Sequence, residues 1–388
     1  MSMNSLSLYF HIPFCKVKCI YCDFYSVVNR DQQIPVFVDT LINELQTNPP
    51  PADQYDRVST IYFGGGTPSM LSGHHLETIL TSIENTIPFS EDIELTLEAN
   101  PGEVDEERLT DYKSLGVNRV SFGIQSFQDA QLERLGRLHR SEHNVPSVQM
   151  ARKAGFDNIS VDLIYHLPEQ SLGDFNSDLQ QMIALDAEHI SIYSLTVEQN
   201  TPLFQFVEDG RISMTPDELD AEMYRNLCEQ MDDAGFRHYE VSNFGLPGFE
   251  SRHNSNYWNG THYYSYGPSA HSYNGDFRWW NVRDLSEYFI RMRKTGNPVQ
   301  DREYLDTSIL KDEFLLTRLR TDRGINLQEW KTKFKEPLPA ELRQYFEFVK
   351  SSHPGWIQIT DASIRLTEEG WLFTDTIIGE AVECLNSN

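Results

Sequence analysis

Over the first 245 residues, short β-rich runs alternate with helix-length amphipathic segments, and that rhythm limits the chain to a small set of folds. Strand candidates lie at 5–12 (SLSLYFHI), 58–65, 93–99, 119–125, 158–167 and 189–197, with 238–244 as a seventh. Between them run stretches such as FVDTLINELQ, EERLTDYKSLG, NVPSVQMARKAG and AEMYRNLCEQMDDAG. The last three close on Gly116, Gly155 and Gly235, the residue type that ends a helix at no steric cost. A strand and a helix in each ~25–40 residues build βαβ units and hence a parallel sheet. The class is α/β: a TIM-like barrel of about six units, complete or incomplete, with a doubly wound sheet as the alternative. Either architecture gathers its chemistry at the carboxyl ends of the strands.

Residues 246–282 break the rhythm, being rich in Gly, Asn, Tyr, Trp and His, and read as a long structured loop. From about residue 300 helices return (LKDEFLLTRLR, NLQEWKTKF, PAELRQYFEFVKS), then two short strands, 356–361 and 363–370, and a closing helix, WLFTDTIIGEAV. That is a small α+β appendage of winged-helix type. The expected division is 1–245, 246–300 and 301–388. A winged helix often binds DNA, but 58 acidic against 32 basic residues give a net charge of -26, which repels phosphate backbones and anionic membranes alike. Nucleic acid is therefore not an expected partner. No run reaches the roughly 18 apolar residues of a membrane span, and the N-terminus lacks a basic n-region, so the expected location is cytoplasmic.

Five cysteines do not make a disulfide framework in such a chain. Cys228 and Cys384 fall in helix-like segments and read as buried or incidental thiols. Cys15, Cys19 and Cys22 differ: in HIPFCKVKCIYCDFYSV they form C-x3-C-x2-C directly after the first strand. Three thiolates can hold three corners of a four-iron cluster and leave one iron open to an outside molecule. A structural zinc would need a fourth ligand, with His11 the nearby supplement. One βα unit later, Gly64-Gly65-Gly66-Thr67-Pro68 follows the second strand, where glycines let backbone approach a ligand closely. Taken alone it also reads as a tight turn.

The cysteine spacing, at this place in a βα fold, resembles the radical S-adenosylmethionine (SAM) superfamily. The resemblance implies a radical SAM barrel whose three cysteines bind a [4Fe–4S] cluster, with SAM on the open iron. GGGTP is similar to the variant in oxygen-independent coproporphyrinogen III oxidases and their relatives. That likeness implies SAM contacts at Tyr9, Tyr21, Gly65, Gly66, Thr67, Glu98, Gln125, Arg137 and Asp162, and a C-terminal domain of HemN type. Asp162 alternates with apolar Val161 and Leu163, so its strand is able to turn the carboxylate inward, where ribose hydroxyls or Arg137 would partner it. Each of these residues alone also reads as a satisfied structural polar group.

His253 opens HNSNYW in the aromatic, Gly-containing stretch, where a surface histidine is the plain reading. An axial ligand to a flat iron macrocycle, flanked by stacking Tyr and Trp, is the sharper one. The HNxxYW run resembles the HemW-type haem chaperones, which implies His253 as the haem contact; His271 is a second candidate. Phe24 stands where the oxidases carry a fourth cysteine, and only 14 residues precede Cys15; by this resemblance both features favour the chaperone branch as the expectation. The implied function is to bind haem and pass it to haem-accepting proteins, with cluster and SAM as cofactors and haem as cargo. The alternatives are oxidative decarboxylation of coproporphyrinogen III, or radical SAM chemistry on another substrate. Whether the chain is an enzyme, and its oligomeric state, stay open.

Overall fold

The computed structural model describes residues 6–386. Its main sheet has twelve strands: β1 (Leu6–Ile12), β2 (Val58–Gly65), β3 (Phe89–Ala99), β4 (Arg119–Gln125), β5 (Ile159–Tyr165), β6 (His189–Ser194), β7 (Arg237–Glu240), β8 (Asn243–Gly245), β9 (His262–Tyr266), β10 (His271–Tyr273), β11 (Phe277–Asn281) and β12 (Val299–Tyr304). Their order is β12-β11-β10-β9-β1-β2-β3-β4-β5-β6-β8-β7. The run from β9 to β6 is parallel throughout, and antiparallel strands flank it on both sides. Since β12 and β7 do not pair, the sheet is open, an incomplete barrel. Ser5 of the first strand candidate lies outside the described residues.

Alternation along the parallel strands separates two faces. Leu6, Leu8, Phe10 and Ile12 on β1, Ile61 and Phe63 on β2, and Val120, Phe122 and Ile124 on β4 are buried in the main apolar cluster. Phe10 stacks between Phe63 and Tyr266 at 5.2 and 5.3 Å. Helices such as Ile34–Thr47, Gly73–Thr86 and Leu172–Ile183 contribute Leu41, Ile79 and Leu179 to the same cluster. Burial on this scale stabilises by about 1.5–3 kcal/mol per large apolar side chain. The opposite parity is polar. Register aligns Tyr9 with Tyr62 and Ser265, Glu98 with Ser121, and Asp162 with Ser191. A closed TIM barrel fills its interior with branched apolar residues; here the inner face is a polar chamber.

Residues 246–282 are not a loop. They hold the helix Arg252–Asn259 and three strands, β9 to β11, and β9 is the parallel neighbour of β1. The candidate at 238–244 is a tight antiparallel pair, β7 and β8, rather than one strand. The C-terminal unit packs the helices Thr307–Arg318, Leu327–Phe334, Ala340–Ser352 and Thr374–Asn386 around a small sheet of Ile325–Asn326, Ser363–Leu366 and Ile357–Ile359. Its apolar residues, among them Trp330, Phe346 and Ala381, are continuous with the main cluster.

Candidate radical SAM site

The cysteine loop leaves β1 at Ile12 and is closed by a short parallel ladder, Phe14 opposite Val27 and Cys15 opposite Val28. The Cys22 amide donates to the Cys19 carbonyl at 3.3 Å, making the turn that faces the thiols together. Ile20 fastens the loop from outside, its amide on the Leu135 carbonyl (3.2 Å) and its carbonyl on the Leu203 amide (2.9 Å). None of the three cysteines is in a disulfide.

The glycine run lies along this loop. Gly66 N–H donates to the Ile12 carbonyl and Thr67 N–H to the Phe14 carbonyl, both at 2.8 Å. Gly65 has φ +110°, a conformation L side chains rarely adopt, and an added Cβ would lie 2.6 Å from the His11 ring. The Thr67 hydroxyl points at Cys15 Sγ, 3.6 Å away. A cavity opens here, lined by Cys15, Cys19, Cys22, Tyr21, Gly65, Gly66, Thr67, Asn100, Glu103 and Arg137.

Arg137 binds this cavity to the next strands. One guanidinium nitrogen donates to the Gly123 carbonyl (2.6 Å) and Asn100 Oδ1 (2.8 Å), and the other reaches Cys19 Sγ at 3.8 Å. Asn100 also donates to Thr67 Oγ1 and Glu103. Asn100 and Glu103 were not singled out in the sequence.

Glu98 accepts from the Tyr62 hydroxyl (2.7 Å) and the Gly65 amide (3.3 Å), and burial pushes its pKa up to about 7. Asp162 accepts from Ser121 at 3.2 Å and is likewise raised by burial. Gln125 ends β4 with φ +67°, next to a register shift against β5. Such strain persists only where the surroundings over-determine it. Tyr9 packs between the His11, Tyr62 and His253 rings.

The donor set fits an iron–sulfur cluster. Three unpaired thiols share one cavity, and Gly66 leaves the space beside Cys15 Sγ that a side chain would fill at 3.0 Å. Burial raises the Cys15 and Cys22 thiols, the latter to about 11, so a bound cation is what would favour their thiolates. His11 is not a fourth ligand for zinc. Its Nε2 meets the Tyr25 carbonyl at 2.8 Å and its Nδ1 the Tyr9 hydroxyl at 3.1 Å.

His253 departs from the expectation of a loop histidine open to a macrocycle. It sits on the helix Arg252–Asn259, 1% exposed, with Nδ1 on the Thr60 hydroxyl (2.8 Å) and Nε2 on the Tyr257 hydroxyl (3.0 Å). Both ring nitrogens are occupied, so in this conformation it offers no lone pair to an iron. His271 is exposed on β10 and stacks on Trp280 at 5.8 Å. Phe24, beside Cys22, is 68% exposed.

An open βα sheet carrying three thiols after its first strand and a glycine cradle after its second defines a radical SAM protein. Residues 9–182 match the radical SAM superfamily, and residues 312–373 the HemN C-terminal domain. The chain is 35% identical to the heme chaperone HemW of Bacillus subtilis over 96% of its own length and 98% of that protein. It is 40% identical to the Escherichia coli heme chaperone HemW over 70% of its length and 71% of that protein. A solved structure of coproporphyrinogen III oxidase (HemN) from Escherichia coli superposes with a TM-score of 0.84 at 20% identity, over 99% of this chain and 91% of that one, which shows the shared fold. The chain belongs to the HemW family within the radical SAM superfamily. Membership of that superfamily implies a [4Fe–4S] cluster and SAM. No helix among the described residues is long and apolar enough to cross a membrane.

Proposed function

We propose that this chain is a cytoplasmic haem chaperone, binding haem as cargo and delivering it to haem-requiring proteins. The observation that carries this reading is its end-to-end likeness to heme chaperone HemW of Bacillus subtilis. Exposed Phe24, in the place of the fourth cysteine of the oxidase motif, favours it further.

Cys15, Cys19 and Cys22 would hold the [4Fe–4S] cluster, which with SAM supplies one-electron reductive cleavage of a C–S bond. Gly65, Gly66 and Thr67 present backbone along one side of the SAM site, and Tyr21 offers a ring beside Cys22. Glu98, at a pKa near 7, is able to hold or release a proton toward an amino group. Arg137, Gln125 and Asp162 supply polar partners deeper in the chamber, and Tyr9 closes its wall. Contact between haem iron and His253 would require breaking the Thr60 and Tyr257 hydrogen bonds. His271 needs no such rearrangement and is the better-placed ligand.

The test is anaerobic. Cluster-loaded protein with SAM and reductant is given haem, and separately coproporphyrinogen III. The expected results are a haem absorption band that weakens in His271→Ala more than in His253→Ala, transfer of haem to an apo-acceptor, and no protoporphyrinogen IX. Protoporphyrinogen IX formed over many turnovers would overturn the chaperone reading in favour of the oxidase.

A further inference from the structure

Cys228, an incidental thiol by sequence, belongs to a second cluster of donors remote from the cysteine loop. It lies on the helix Asp217–Asp233; His238 lies on β7; Glu368 begins the short helix Glu368–Trp371 of the C-terminal unit. Their ligand atoms all fall within 4.8 Å of one another. Cys228 Sγ is 3.9 Å and Glu368 Oε1 3.0 Å from the same atom, His238 Nδ1. Metal–ligand bonds of ordinary length in a tetrahedron put S, N and O donors roughly 3.3–3.6 Å apart.

Convergence on one nitrogen decides what the cluster is suited to. A thiol–imidazole–carboxylate relay places thiol and carboxylate on opposite nitrogens of the ring. Here the opposite nitrogen, Nε2, faces the Val241 carbonyl at 3.4 Å. A proton on Nε2 answers that carbonyl and leaves the Nδ1 lone pair aimed between the thiol and the carboxylate, the usual orientation of a metal-bound histidine. The ring is fixed by stacking on Phe244 at 3.9 Å and by the edge of Trp371 at 4.5 Å.

Two further observations bear on the cluster. The Tyr224 hydroxyl, on a residue 6% exposed and one helical turn before Cys228, lies against that thiol and has its sulfur as neighbour. It would serve as an outer hydrogen-bond donor to a metal-bound sulfur there. The neighbouring Glu369 is engaged by Arg225 in a two-pronged pair at 2.7 and 2.9 Å, which leaves Glu368 free to turn inward. Cys228 and His238 are buried while the Glu368 side chain is 47% exposed, so an ion has a way in.

We propose that Cys228, His238 and Glu368 form a transition-metal site, with Zn2+ as its expected occupant, that clamps the C-terminal unit to the radical SAM core. Mixed S, N and O donors with one open position suit zinc.

The full chain, its cluster reconstituted first, is given Zn2+, desalted, and assayed for zinc and iron, with zinc-edge X-ray absorption reporting the shell. About one zinc per chain is expected, bound by one sulfur and otherwise nitrogen and oxygen. Glu368→Gln, at a half-exposed position that does not threaten folding, should weaken zinc binding about tenfold or more without changing iron content. Cys228→Ser should remove the sulfur from the shell. Zinc lost on desalting would mean a hydrogen-bonded cluster only and would overturn the site. So would a shell of three sulfurs, which belongs to the cysteine loop, or unchanged zinc affinity in Glu368→Gln.

Discussion

At Gly66 an added Cβ would lie 2.7 Å from the Phe14 carbonyl, 2.9 Å from the Ile12 carbonyl and 3.0 Å from Cys15 Sγ. Two of those neighbours are backbone and cannot swing aside, so Gly66→Ala should push the cysteine loop off the glycine run. Overpacking of this kind costs about 1–3 kcal/mol, enough to reduce iron retained after reconstitution several-fold while far-UV circular dichroism stays unchanged. Full iron loading in that variant would refute the close approach. A different residue sets a pH dependence. Glu44 is 3% exposed, and although Tyr288, Gly267 and Asn281 donate to its carboxylate, burial raises its pKa to about 7. Between the ordinary value of 4.5 and 7 the folded chain keeps a proton that the unfolded chain has released. This group's contribution is therefore present at low pH and lost as pH rises through that window, by roughly 3 kcal/mol at most. Glu44→Gln removes the titration, so the melting-temperature gap between wild type and variant should shift in the variant's favour from pH 5 to 8. A gap that does not change with pH would show the carboxylate to be ionised throughout.

The element that sequence periodicity could not reveal is the helix Arg252–Asn259. It has eight residues and no apolar stripe; His253 is its one buried residue. What holds it is local chemistry at its ends. The Ser251 hydroxyl accepts from Asn254 N–H, Gly260 closes it with φ +72°, and the buried Glu94 carboxylate accepts from the first two amides, Arg252 (2.9 Å) and His253 (2.8 Å). Caps are visible in a sequence only when a periodic run lies between them, so SRHNSNYWNG reads as a loop. A related limit applies to β9: the tyrosines of HYYSY suit a strand, but nothing within the segment shows that it pairs in parallel with β1. By contrast β1 to β6 were legible because one parity is apolar, and the cysteine and GGGTP motifs were legible because both follow strands directly. Tyr62, Asn100 and Glu103 were not, since a contact between residues from different strand ends leaves no mark on either segment. Glu94 gives the element-scale prediction. Glu94→Ala leaves two helix amides buried without an acceptor, and should destabilise the fold by about 2–4 kcal/mol, read as a lower urea midpoint. It should also release His253 toward solvent, so that imidazole, silent in the wild type, titrates by NMR near its ordinary value. An unaltered midpoint would mean the helix stands without Glu94.

For the whole molecule, periodicity counted βα units but carried no information on closure, which depends on whether the outermost strands find each other; here antiparallel additions on both sides prevent it. Net charge acts at the same scale. With 58 acidic and 32 basic residues, the chain presents a negative field to anything approaching from a distance. On the proposed function haem would arrive with two ionised propionates, so its approach would be opposed. SAM carries a sulfonium and is attracted. Screening shortens the reach of both effects, from about 30 Å at 0.01 M salt to about 8 Å at 0.15 M. The haem association rate, followed by stopped-flow absorbance, should therefore rise several-fold across that range, while SAM association falls. Lys16, Lys18 and Arg137 around the cysteine cavity act against this trend for haem, but only within a few ångströms of contact. A haem rate that falls with salt would show that these cations, rather than the net charge, govern encounter, and would place the docking surface at the cavity mouth. Opposite slopes for the two ligands on one protein also exclude a salt-induced change of shape as the cause, because such a change would alter both rates irrespective of ligand charge.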